Sequence, residues 1–376
     1  MEQDGNIGVC ATSAIWSCLF KTSKLFRNKF PIPHEITSAA GLTYSTDTQP
    51  LFPNKGLNTS QIAKILEHYN LTFENIGPKA NEKGGVISHA ELKKICYSYN
   101  KMGIPILLGY KMFNNDTHMV CITGYLSGEL NKVATGDGST SESMAFQHNT
   151  IKELYAHNDQ FGPYESIDFS VSGNKYQKFI NAQQEVLLSF QIEGKNRQSV
   201  PIIAIIPLDK KIRVSYSEVY SSVNGFSYLF DLAKDVDRTL NFDFRTFCWD
   251  VYLDFSSNFK QQRVQDTSLD VQTRKEISFK PMPKFIWVAS LRIQNKLILE
   301  FIVDSNSITN SFLIFDMFFY DISFAKRILA FFPSLIDKAV NDNYLGQFRS
   351  VRRRKFYNSW LTSTHSRFLR KKLFSL

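Results

Sequence analysis

Residues 3–16 read Gln3-Asp4-Gly5-Asn6-Ile7-Gly8-Val9-Cys10-Ala11-Thr12-Ser13-Ala14-Ile15-Trp16. A loop of small and polar residues leads into a helix whose first turn carries a cysteine. A thiol placed there is set up as a nucleophile, because partial positive charge at a helix N-terminus favours thiolate over thiol. The Cys10 backbone N–H and an upstream amide side chain such as Gln3 would together hold a developing oxyanion. A cysteine in this role needs a histidine base later in the chain, and His118 is available.

Downstream of Cys10 the local signals are mostly capping patterns. In Gly56-Leu57-Asn58-Thr59-Ser60-Gln61, Asn58 reads as an N-cap with Gln61 completing a capping box. That helix should run to about Tyr69 with Ile62, Ile65 and Leu66 on one face. Ser88-His89-Ala90-Glu91 repeats the pattern ahead of Leu92, Ile95 and Cys96, with His89 a first-turn residue of an exposed helix. Ile106 to Tyr110 reads as a buried strand, and the turn Asn114-Asn115-Asp116 separates it from a second run, Thr117 to Tyr125. The two are expected to pair antiparallel. Residues 136–143 read as loop, and Leu154-Tyr155-Ala156-His157 as a short strand before a Gly162-Pro163 turn. Helices first and antiparallel strands second make an α+β arrangement.

His118 stands at the mouth of the strand Met119-Val120-Cys121-Ile122-Thr123-Gly124-Tyr125. There an imidazole is held rigidly with one face open to a cleft, which suits a general base for a thiol. Asn158, at the end of a strand, would fix the ring by accepting from the N–H that faces away from sulfur. Asp159 would do the same with a charge, and Asp137, in Thr135-Gly136-Asp137-Gly138, is a rival for the role. Cys18 and Cys121 sit among apolar residues and read as core. Gly84-Gly85 reads as a flexible turn.

The order of these elements resembles papain-like cysteine peptidases, closest to the branch of bacteriocin-processing, double-glycine peptidases. The resemblance rests on Gln3, Gly8-Val9-Cys10-Ala11, Gly56-Leu57, the strand Ile104 to Tyr110, the His118-Met-Val-Cys-Ile-Thr-Gly motif and Tyr155-Ala-His-Asn158-Asp159. It covers roughly residues 1–168. It implies a cysteine peptidase acting on a protein or peptide substrate, with Cys10 as nucleophile, His118 as base, Asn158 as orienter and Gln3 in the oxyanion hole. No metal or organic cofactor is implied. The same triad serves papain-fold acyltransferases, transglutaminases and deamidases. A catalytically silent binding module is the alternative of a different class.

The chain departs from the family in three ways. Gln3 is seven residues before Cys10, one more than is usual, so Asn6 is a substitute. The interval from His118 to Asn158 is long at 40 residues, and Cys10 is close to Met1, so the domain is pared down or a segment precedes it.

At 376 residues, 43% of them hydrophobic, the chain is long enough for two domains with real cores. The expected layout is a papain-like domain over 1–170, a second α+β domain over 171–345 serving substrate or partner recognition, and a basic segment over 346–376. Within the second domain Val186 to Phe190, Ile202 to Ile206, Phe285 to Leu291 and Leu297 to Val303 read as strands. Ser217 to Ala233 and Ser323 to Val340 read as helices. Five scattered cysteines with no CxxC pair suggest free thiols in a reducing, cytoplasmic setting. No signal segment or span-length apolar run is evident. The net charge of +9 belongs wholly to residues 343–376, which hold nine basic residues and no acidic one. Arg352-Arg353-Arg354-Lys355, interleaved with aromatic residues, either docks on the protein's own body or meets nucleic acid or an anionic surface.

Overall fold

The computed structural model describes residues 10–41, 57–78, 86–112, 117–128, 145–169, 188–192, 195–224, 227, 246–307, 314–321 and 323–324. Outside them lie Gln3, Asn6, Asp137, Gly84-Gly85, the loop 136–143, the second half of the helix expected at 217–233 apart from Ser227, nearly all of that expected at 323–340, and the basic tail. The architecture is α+β, in two units: Met1–Lys132 with His148–Lys210, and Val133–Gln147 with Lys211–Leu376.

The first unit begins with α1 (Cys10–Phe26), which buries Ala11, Ala14, Ile15, Cys18, Leu19 and Phe26 along one stripe. That spacing is the 3.6-residue period of a helix face, and Arg27 ends the helix in the left-handed region at φ 60°. After α2 (Pro33–Ala39) comes α3 (Thr59–His68). Its capping box is reciprocal: Gln61 N donates to Asn58 Oδ1 and Asn58 N to Gln61 Oε1, both at 2.9 Å. Ile62, Ile65 and Leu66 are its buried face. β1 (Leu71–Ile76) precedes α4 (His89–Asn100), where the Ser88 hydroxyl accepts from Glu91 N at 3.2 Å. His89 differs from expectation. It is 7% exposed, with its ring edge-on to Phe169 at 5.1 Å. The cause is that α4 buries Glu91, Tyr97, Ser98 and Tyr99 as well as its apolar stripe, so little of its surface meets water.

The strands of this unit are β2 (Ile106–Met112), β3 (Thr117–Ser127), β5 (Ile151–Asn158), β6 (Gly162–Phe169), β7 (Leu188–Ile192) and β8 (Lys195–Asp209). They join β1 in the order β1-β8-β2-β3-β5-β6-β7, and β7 also pairs with β8. Six antiparallel strands therefore close into a ring of pairings, with β1 attached outside it along β8. α1 packs on β2, β3 and β5.

β8 corrects the expected domain boundary. Its strand character was legible from Ile202 to Ile206, but it pairs with β1 and β2 in the first unit rather than opening the second. Periodicity marks a strand without naming its partner, and these partners lie about a hundred residues or more upstream.

The second unit holds β4 (Ala145–Phe146), a helix α5 described over residues 216–224, β9 (Phe247–Phe255), α6 (Ser256–Gln265), α7 (Val271–Phe279), β10 (Phe285–Ile293), β11 (Lys296–Asp304) and β12 (Ile314–Phe319). The sheet order is β12-β11-β10-β9-β4, with only β4 running parallel to its neighbour. Its core includes the fully buried Trp249 and Trp287, and a buried Glu300 that accepts from Arg263, Ser290 and Tyr320.

Replacing Asn58 with alanine removes the side-chain half of the α3 capping box, the bond from Gln61 N to Asn58 Oδ1, and leaves the bond from its own backbone N–H. It should lower stability by about 1 kcal/mol, read as a shift in the denaturant midpoint with unchanged slope.

Candidate active site

Three elements of the first unit meet where Cys10, His118 and Asn158 stand. Cys10 is the first residue of α1 and is partly exposed. His118 is the second residue of β3, opposite Tyr110 of β2, and is 5% exposed. Asn158 is the last residue of β5 and is 3% exposed. The β3–β5 register sets Cys121 opposite His157, so His118 and Asn158 lie at the same end of that strand pair despite 40 intervening residues. α1 lies across these strands, and Cys18 on its buried face touches Cys121 of β3. That contact helps fix where the Cys10 end of the helix sits.

His118 Nε2 donates to Asn158 Oδ1 at 3.0 Å. The same Oδ1 accepts from Gln160 N at 3.0 Å, and Asn158 Nδ2 donates to Glu165 Oε2 at 2.6 Å. A backbone N–H can only donate, so the amide orientation is dictated by the network, and the Nε2–H tautomer with it. The Cys10 sulfur lies close enough to the same ring to favour its charged form, and with Nε2 committed to Asn158, Nδ1 is the nitrogen left to face it.

Asp159 Oδ1 lies 3.3 Å from His118 Nε2, within ion-pair range. Both Asp159 oxygens are nevertheless buried without a hydrogen-bond donor aimed at them. The Nε2 proton is directed to Asn158, so Asp159 acts through space as a counter-ion. The two residues offered as alternatives by the sequence are thus both present: Asn158 fixes the ring and Asp159 supplies the charge.

Burial opposes the charged imidazole. Asp159, the Cys10 sulfur and Asn158 outweigh it, and His118 is raised from an ordinary 6.5 to about 10. At neutral pH the ring is therefore an imidazolium beside the Cys10 sulfur. The other thiols have no such neighbour. Burial raises Cys18 and Cys96 far above the usual thiol range and Cys248 to about 12.

Two groups were missed by sequence reasoning. Tyr110 packs its ring edge against His118, centroids 5.4 Å apart, and is 3% exposed. Glu165 is a buried carboxylate on β6 whose pKa is raised, chiefly by desolvation. The available signal for Glu165 was its place two residues before Ile167 in an alternating strand, which puts a carboxylate on the inward face. Gln3 and Asp137 lie outside the described residues.

Among the described residues no cluster of His, Cys, Asp and Glu could hold a metal ion, and no helix is long and apolar enough to cross a membrane. In comparisons with known proteins, no family model, no curated protein and no solved structure matches this chain.

Linkage gives His118 a measurable signature. Its folded-state pKa is raised, so its contribution to stability is complete below about 6.5 and is lost as pH rises through about 10. The stability gap between the wild type and His118→Gln should therefore be larger at pH 6 than at pH 10.5 in denaturant titrations. An equal gap at both would contradict the assigned charge.

Proposed function

We propose that the first unit is a papain-like cysteine peptidase working through a Cys10–His118–Asn158 acyl-enzyme route. The observation that carries this reading is the His118 ring, in contact with the Cys10 sulfur on one side and with Asn158 and Asp159 on the other.

In this reading the Cys10 thiolate attacks the carbonyl carbon of a peptide bond. A C–S bond forms and the carbonyl oxygen becomes an oxyanion, held by the Cys10 N–H and, as the family resemblance implies, the Gln3 amide. His118 gives the Nδ1 proton to the leaving nitrogen, the C–N bond breaks and a thioester remains. Neutral His118 then takes a proton from water, whose oxygen attacks the thioester. The C–S bond breaks, releasing a carboxylic acid and restoring thiolate and imidazolium. Once the sulfur is bonded to carbon its charge no longer raises His118, so the ring gives up its proton more readily to the leaving amine. Asn158 keeps the Nε2–H in place throughout.

The substrate class is a protein or peptide, and no cofactor takes part in these steps. A nucleophile and an orienter placed on the two sides of one histidine support an enzyme over a silent binding module. All five cysteines are free, which suits a reducing compartment such as the cytoplasm.

Hydrolysis of a mixed-sequence peptide library, read by mass spectrometry, tests this. Cys10→Ser and His118→Ala should each lose product formation by at least about a thousandfold. Turnover retained in Cys10→Ser would end the peptidase reading. Asp159→Asn, which removes the counter-ion, should move the alkaline limb of kcat/KM to lower pH by at least about one unit.

A further inference from the structure

The Asn158 amide has two faces that differ only in which atom is oxygen, and the chemistry above requires the oxygen to face His118. A reversed amide would aim an NH2 donor at Nε2. The ring would then lose the bond, or shed its Nε2 proton and become a neutral imidazole whose only proton is on Nδ1, unable to take one from Cys10. Something must hold the amide one way round.

One anchor is backbone: Gln160 N donates to Oδ1 within the β5–β6 turn. The other is a side chain that neither the sequence reading nor the triad includes. Glu165 Oε2 accepts from Asn158 Nδ2 at 2.6 Å, and Glu165 is 9% exposed while its other oxygen is buried without a partner. A carboxylate has no donor to offer when ionised, so it can face only the NH2 end of the amide.

The local backbone is shaped to bring the two together. β5 and β6 pair Ala156 with Glu165 and then Asn158 with Gly162, a register shift that gives β6 an extra residue. Tyr164, within that shift, takes φ 62°, and Gly162 φ 98°. Such irregularities re-aim side chains next to functional sites.

We infer that Glu165 is a positioning residue, whose buried carboxylate locks the Asn158 amide with its oxygen toward His118 and so sets the tautomer that activates Cys10. The inference rests on the reading of Cys10 as a thiolate nucleophile. A charge-assisted hydrogen bond of this kind contributes more than a neutral one. It also costs the desolvation of a carboxylate, a cost that a purely structural site could avoid with an apolar residue of similar size. The groups facing His118 are Cys10 from α1, Tyr110 from β2, Asn158 and Asp159 from the β5 end, and Glu165 from β6.

The test is the rate of Cys10 alkylation by iodoacetamide from pH 5 to 9, mapped by mass spectrometry, which needs no substrate. Glu165→Met keeps the volume and removes the acceptor; Glu165→Gln keeps an acceptor and removes the charge. Glu165→Met should slow alkylation at pH 6.5 by about tenfold and move the acid limb up by about one unit. Glu165→Gln should restore the rate to within about threefold of wild type. In an Asn158→Ala background, Glu165→Met should add nothing, since it acts through that amide. A wild-type profile in folded Glu165→Met overturns the inference, as does a full loss in Glu165→Gln or an undiminished effect without Asn158. Should wild-type Cys10 react no faster than the four other thiols, the nucleophile reading itself has failed.

Discussion

A protonated imidazole buried to 5% exposure is unstable by itself, because burial removes the water that hydrates the charge. The site exists because the Asp159 carboxylate, the Cys10 sulfur and the Asn158 carbonyl together outweigh that penalty. The three come from two stretches of backbone. Helix α1 brings the sulfur, the end of β5 brings the amide, and the first turn residue beyond it brings the carboxylate. The first unit is arranged so that these meet at one end of the β3–β5 pair.

What sets Cys10 apart is its surroundings rather than its residue type. Cys18 lies on the same helix as Cys10 and Cys121 on the same strand as His118, yet both face the core. Cys10 differs in being at the helix start, partly exposed, with an imidazolium beside it. Beyond His118 the polar groups continue outward in a chain: Nε2–H to Asn158, Asn158 Nδ2 to Glu165. The buried carboxylates, Asp159 and Glu165, are the costly components of the site, and each faces a group that the charge or orientation of His118 depends on.

Much of this was written locally in the sequence. The capping pair Asn58 and Gln61 announced α3 with both its bonds, and alternation around His118 announced β3. Cys10, His118 and Asn158 were each legible because loop, strand and turn signals framed them. What was not legible is what depends on non-local pairing. β8 reads as a strand but completes a sheet begun far upstream. Glu165 escaped for the same reason. Its importance is a matter of which strand lies beside it and of an extra residue that turns it toward Asn158.

The charge on His118 is the central claim, and nitrogen NMR of the histidine rings measures it directly. In the wild type both ring nitrogens of His118 should show imidazolium shifts at pH 7.5, titrating only as pH approaches about 10, with a lower midpoint in Cys10→Ala. A neutral His118 at pH 7.5, titrating near the ordinary 6.5, would contradict the account.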